Sequence, residues 1–354
     1  MPSAFLDGQF IWHIPLDLHK SSLSDIKIAA LNPLWLLLSF LDKEWNPFRV
    51  AAHRKLHQLD EVFLALITDR AASNASATQS IGKSSYVAEP AGEDSGYSDS
   101  GSDTECANDS HASSSTGSKD LLSILLDASG NESEDHHLST MELRNNIVTI
   151  GFAAHDTTSA LLSSALFVLG KYPHIQQLAR DEVLNVLGDF KGDVVLTPEQ
   201  QRNLPYLTCV LKEVLRVYPS VSYGVFRRCR EDFFLGKERL FVPKGSLLGL
   251  HYWGAHYDAT QWPNVHEFDA SRFENDISVD SIVSKSSSAW MPFSGGIRSC
   301  IGATFAYAEA RTVLAMFLHK YEWTLAPNHP GELLMEPLAV LRAITNPISF
   351  KPRY

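Results

Sequence analysis

Residues Met291 to Ala310 read MPFSGGIRSCIGATFAYAEA, and the fold is read outward from them. Within them Phe293, Gly296, Arg298, Cys300 and Gly302 stand in the form F-x-x-G-x-R-x-C-x-G. Gly295 and Gly296 let the backbone turn tightly, through positive φ if needed, and admit a flat ligand close to the main chain. From Ala303 the residues favour a helix, whose first amides can stabilise a nearby sulfur as thiolate. Arg298 adds a fixed positive charge suited to a carboxylate. Phe293 supplies an apolar wall that keeps water from the sulfur. A lone cysteine is ordinarily a small buried hydrophobe; five spaced residues within ten positions argue for a ligand instead.

Those five residues resemble the haem-thiolate loop of the cytochrome P450 monooxygenases, in which a cysteine thiolate holds the iron and donates electron density that favours O–O cleavage. The resemblance implies that Cys300 is the axial iron ligand and that Arg298 pairs with a haem propionate. It implies too that Phe293, Gly296 and Gly302 shape the cofactor site. The alternative of a cysteine nucleophile lacks a base, because Gly296 to Thr304 holds no histidine.

Upstream, Ser139-Thr-Met-Glu142 has capping-box spacing and opens a long helix that runs to about Gly170, with Pro173 beyond. Inside it lies Ala153-Ala-His-Asp-Thr-Thr158. An acid in so apolar a helix is costly unless paired or hydrated, and Thr157 can bond back to a carbonyl one turn earlier. Taken alone the run is a satisfied polar patch. By resemblance it is the oxygen-activating helix, with Asp156 and Thr157 delivering protons and Ala154 standing where the family usually has glycine.

Between these segments Leu207 to Tyr218 forms a helix ending at Pro219, with Glu213 and Arg216 as neighbours on one face. The flanking Leu211, Val214, Leu215 and Val217 predict at least partial burial. The family joins such a pair to an arginine in F-x-x-x-R-F, here Phe268 to Phe273. Glu213, Arg216 and Arg272 are therefore expected to form a structural triad that braces the loop around Cys300. Val221 to Arg228 and Phe233 to Leu250 read as strands and turns punctuated by Pro243-Lys-Gly245. By resemblance Val221 to Phe226 borders the substrate, Arg228 reaches a propionate, and Leu338 to Val340 lies near the cavity. His251 and His256 have no partner at metal-ligand spacing and read as surface or core residues.

Composition sets the remaining bounds. The chain has 354 residues, 44% hydrophobic, and a net charge of −11, which excludes nucleic acid as a partner. Its four cysteines lack C-x-x-C spacing, so neither a zinc site nor a disulfide framework is indicated. Ala72 to Ser118 is rich in Ser and Gly and holds seven acids against Lys83, a net −6, so it reads as a disordered acidic insertion. Ser95, Ser98, Ser100 and Ser102 stand among those acids as acid-directed kinase substrates would. The start carries no signal peptide, and its apolar run Ile28 to Leu41 is too short to span a bilayer. Leu34 to Phe40 is either an exposed patch or a core helix. Trp45 and Arg49 spell the family's W-x-x-x-R, but Pro47 between them would break the helix that motif sits on.

The expected architecture is mainly α with small β-sheets: a cytochrome P450 fold lacking its amino-terminal part. Residues 1–71 form a partial helical start, 72–118 the insertion, and 119–354 the core. The resemblance implies a haem-dependent monooxygenase using O₂ and a lipophilic small molecule. Without a flavin or nicotinamide fingerprint, electrons come from a separate NADPH-cytochrome P450 reductase or similar donor. It further implies a site on the cytosolic face of the endoplasmic reticulum membrane, with no transmembrane segment in this chain. A catalytically silent haem-binding protein is the alternative.

Overall fold

A computed structural model describes residues 47–81, 120–130, 138–224, 226–276, 289–336 and 340–354. Leu34 to Phe40, most of the acidic segment with its serines, and Leu338 lie outside them. The chain divides into two compact units, Met1–Ile150 and Gly151–Tyr354.

In the first unit, α1 (Pro47–Ile81) begins at a proline, whose missing N–H costs nothing in a first turn. Helix α1 continues past Ala72 into the Ser-rich segment. After α2 (Leu121–Gly130), α3 (Thr140–Lys171) starts with its capping box formed. The Ser139 amide donates to Glu142 at 2.9 Å, and the Glu142 amide donates to Ser139 Oγ at 3.3 Å. Phe63 and Ile67 of α1 pack on Leu143 and Ile147 of α3, with Leu122 and Leu126 of α2 against them. Arg70–Asp120 and Arg144–Asp60 ion pairs tie these helices together at their polar edges.

The second unit is built on α4 (Pro173–Leu187), α5 (Pro198–Arg202) and α6 (Pro205–Val217), packed with the later part of α3. Each of these three begins with proline, and α5 carries a complete Thr197–Gln200 capping box. Then come β1 (Arg227–Arg228), β2 (Phe233–Leu235), β3 (Leu240–Val242), β4 (Leu247–Leu248) and the short α7 (Tyr252–His256). The loop quoted at the outset leads into α8 (Ala303–Lys320), followed by β5 (Tyr321–Leu325), β6 (Met335–Glu336), β7 (Arg342–Ala343) and β8 (Ile348–Pro352). Among the described residues all ladders are two-stranded and antiparallel: β1 with β4, β2 with β3, β5 with β8, β6 with β7.

One apolar core holds this unit together. Leu161, Phe167 and Leu169 of α3 meet Val183 of α4, Leu211 and Val214 of α6, and Leu314 and Leu318 of α8. A polar corner closes it. Gln176 Nε2 donates to the carbonyls of Leu169 (3.0 Å) and Trp323 (2.9 Å). Arg180 donates to Gln176 Oε1 (2.7 Å) and to the carbonyls of Leu318 (3.2 Å) and Tyr321 (3.0 Å). These bonds satisfy main-chain oxygens in the last turns of α3 (Leu169) and α8 (Leu318), where no helical partner remains, and on β5 (Tyr321, Trp323). The architecture is mainly helical with small sheets, as the sequence predicts. α3 is long and apolar enough to cross a bilayer by composition, but half of its most apolar window is buried inside the protein.

Candidate active site

The loop before α8 is shaped by two left-handed positions. Ser294 has φ 64° and Gly296 φ 71°, while a three-residue 3-10 turn spans Gly296–Arg298. The Ser294 amide donates to the Met291 carbonyl at 3.1 Å, the Ser299 amide to Gly296 at 3.0 Å, and the Cys300 amide to Phe293 at 2.9 Å. These bonds deliver the sulfur two residues before Gly302, the residue capping α8. Phe293 is half-buried, its ring centroid 5.3 Å from that of Tyr307 on α8.

The run from Gly295 to Ile301, Cys300 included, is exposed, and Ile297 and Ile301 are fully so. A Cβ added to Gly295 or Gly296 would meet nothing within 4 Å. Leaving an isoleucine in water rather than burying it forgoes about 1.5–3 kcal/mol. A flat apolar body seated here would recover that energy. Arg298, exposed and without an ion-pair partner among the described residues, offers a cation to a carboxylate. A soft sulfur, apolar neighbours and one arginine fit a porphyrin bearing carboxylates.

Asp156 lies on α3 at 6% exposure, with Oδ1 3.2 Å from Nδ1 of the exposed His155. Thr157 Oγ1 donates to the Ala153 carbonyl at 2.8 Å, the bond back along the helix that its type favours. Ser220, just beyond α6, donates to the Thr157 carbonyl at 2.9 Å. One residue further, the buried Thr158 lies beside the side chain of Glu309 in the second turn of α8. Burial pushes the Glu309 carboxyl above its ordinary range, while Thr158 and then His155 pull it down. Thr158 and Glu309 thus join the helix bearing Asp156 to the helix that follows Cys300. Sequence reasoning missed this pair because nothing in the spacing of either residue announces the other.

Glu213 and Arg216 are 0% exposed, deeper than the partial burial their flanks predict. Arg216 grips Glu213 bidentately, both bonds at 2.8 Å. Its remaining donors reach the carbonyls of His256 (3.1 Å), Val265 (2.9 Å) and Glu267 (3.1 Å). Arg272 Nε sits 3.4 Å from Glu213 Oε1, an ion pair outside hydrogen-bond alignment, while its Nη2 donates to the Asn264 carbonyl. The Asp269 amide also donates to Glu213 Oε1, at 3.0 Å. The three residues therefore form one cluster whose other hydrogen-bond partners are main-chain groups.

Arg228 lies exposed on β1 and donates to the Gly245 carbonyl at 3.2 Å. His251 is exposed and stacks on Tyr223, their ring centroids 4.4 Å apart. His256 is wholly buried, and its Nε2 accepts the Met291 amide at 3.0 Å. Among the described residues no group of three or more His, Cys, Asp or Glu is placed to hold a metal ion.

Helical fold and cysteine loop together define a haem-thiolate protein. The chain belongs to the cytochrome P450 family, whose model, described as Cytochrome P450, matches residues 32–351. It is 36% identical over 224 residues to cytochrome P450 4A24 of Sus scrofa, covering 63% of this chain and 42% of that protein. Cytochrome P450 4F11 of Homo sapiens is likewise 36% identical over 63% of this chain and 40% of its own length. The ultra-long-chain fatty acid omega-hydroxylase of Homo sapiens is 35% identical over 225 residues, again 63% of this chain and 40% of that protein. The matched stretch thus spans less than half of these relatives. A crystal structure of a cytochrome P450, CYP102L1, covers 95% of this chain and 65% of its own, with a TM-score of 0.69 and 20% identity, a likeness of fold.

Proposed function

We propose that this chain is a haem-thiolate monooxygenase that inserts one oxygen atom from O₂ into a lipophilic substrate with a long acyl chain. The observation that carries the reading is Cys300, exposed at the head of α8 in a glycine-shaped, apolar loop. The acyl substrate follows from a relative named for omega-hydroxylation of ultra-long-chain fatty acids. NADPH-cytochrome P450 reductase, or a donor like it, supplies the electrons. By resemblance to its relatives, the reaction is assigned here to the cytosolic face of the endoplasmic reticulum membrane.

Bound haem supplies the redox chemistry of O₂ cleavage, which electron donation from a thiolate favours. Cys300 would hold the iron through its thiolate, Arg298 would bind one haem carboxylate and Arg228 a second. Phe293, packed on Tyr307, would wall one side of the loop, and Gly296 and Gly302 would leave the backbone room for the ring. On α3, Asp156 Oδ1 lies 3.2 Å from His155 Nδ1, and the exposed imidazole links the buried carboxylate to solvent for proton delivery. The Thr157 hydroxyl, bonded to Ala153, keeps its oxygen lone pairs for accepting. The Glu213–Arg216–Arg272 cluster carries no redox role and fixes the segments around the loop.

The test reduces the purified, haem-loaded chain under carbon monoxide and records the Soret band. A thiolate-type red shift, with reductase-dependent NADPH consumption and a hydroxylated fatty acid as product, is the expected result. Haem uptake with the red shift but without turnover on any fatty acid, sterol or terpenoid identifies the catalytically silent alternative. Bound haem without the red shift overturns the thiolate assignment.

A further inference from the structure

His256 ends α7, far in sequence from the cysteine loop, and is 0% exposed. Its Nε2 accepts the main-chain N–H of Met291, the residue that opens the loop, at 3.0 Å. An acceptor nitrogen carries no proton, so the ring is neutral with its hydrogen on Nδ1. The Leu215 and Arg216 carbonyls, at the open end of α6, lie beside the ring as backbone acceptors, although Nδ1 reaches no partner in good geometry.

The backbone of the same residue is held from the other side. Arg216 Nη1 donates to the His256 carbonyl at 3.1 Å, and Arg216 is locked bidentately on Glu213. From Met291 the bonds continue inward: its carbonyl accepts the Ser294 amide at 3.1 Å, and the Phe293 carbonyl accepts the Cys300 amide at 2.9 Å. Just before the loop, Trp290 Nε1 donates to the Lys212 carbonyl of α6 at 3.3 Å. The entry of the loop is therefore pinned to α6 twice, by Trp290 directly and by His256 as intermediary. Of these two pins, the His256 ring is the one that bonds the loop's own backbone.

We propose that His256, as the neutral Nδ1–H tautomer, is a positioning residue for Cys300: it transmits the Glu213–Arg216 anchor to the thiolate loop through the Met291 amide. The proposal rests on the haem-thiolate reading for its consequence, but the bond itself belongs to the chain. Without that acceptor the part-buried Met291 N–H is left unpaired. The Ser294 turn then loses its fixed start, and the sulfur its fixed approach. A rigid element carrying a ligand into place is what distinguishes a tight site from a loose one.

The experiment has two arms. In the first, ¹⁵N-histidine NMR of the unmutated chain at neutral pH reads the His256 ring. A bare Nε2 with a protonated Nδ1 is expected, and a protonated Nε2 overturns the proposal whatever the haem does. In the second, H256F and H256Q are loaded with haem and compared with the parent by the carbon monoxide difference spectrum at equal haem content. H256F is expected to shift most of its signal from the thiolate-type band to the unligated form, and H256Q, whose Oε1 can accept from Met291, to restore it. A full thiolate-type band in H256F overturns the proposal. If H256F fails to load haem, the H256Q spectrum and the NMR arm decide. A parent that never shows the thiolate-type band refutes the haem-thiolate reading instead and leaves the tautomer result intact.

Discussion

Gly296 adopts φ 71° as the first residue of the 3-10 turn that aims Cys300. A side chain there is strained even though the space beside it is open, so Gly296→Ala should cost about 1 kcal/mol and loosen the loop. Thermal unfolding and the thiolate-type Soret fraction report the two effects separately. Cys300→Ser should behave oppositely. The exposed side chain contributes little to stability, within about 0.5 kcal/mol, yet its loss should abolish the thiolate-type band. Asp156→Asn keeps the size of the buried group but cannot pass a proton. Turnover should fall on the order of 10²-fold with haem content unchanged, and the solvent isotope effect should rise.

At the scale of elements, α6 is the brace and Glu213 its centre. Truncating Glu213 to alanine leaves Arg216 charged and buried at 0% exposure, which should cost about 3–5 kcal/mol. Denaturant unfolding measures it, and a loss below 1 kcal/mol would contradict the burial. Much of this scale was legible in advance, because its causes are local. The capping box at Ser139 and the three-residue step from Glu213 to Arg216 need only neighbours in sequence. The family and its cofactor were legible for the same reason: F-x-x-G-x-R-x-C-x-G is one short stretch. What stayed hidden joins distant segments through main-chain atoms. Arg216 finds the carbonyls of residues 256, 265 and 267, and His256 finds the amide of Met291. Every residue has such atoms, so no pattern of side chains marks them. Glu309 and Thr158 were hidden too, since each is an ordinary helical residue until the helices pack.

For the whole molecule, buried ionisable groups make stability depend on pH. Burial lowers the His256 pKa from 6.5 to about 4; the Arg216 charge acts in the same direction, and the Arg216 and Leu215 carbonyls oppose it. An unfolded chain takes up this proton as pH falls below about 6.5, whereas the folded chain resists until about 4. The stabilising contribution is therefore complete above 6.5 and declines through that window, by about 3 kcal/mol in all. Unfolding curves at pH 7, 5.5 and 4 should show the decline, and H256Q should flatten it. Glu309 has the opposite sign: its raised pKa adds stability at acid pH that is lost as pH rises through the folded value.

The corner built by Gln176 and Arg180 bears on how this sequence can drift. Their partners at Leu169, Leu318, Tyr321 and Trp323 are carbonyl oxygens, which every replacement at those four positions retains. As far as these bonds are concerned, the four sites are free to vary and the two donors are not. A lineage of such genes should therefore keep its glutamine and arginine while the residues they hold wander, and a census of conserved contacts by side-chain type alone would miss the joint entirely.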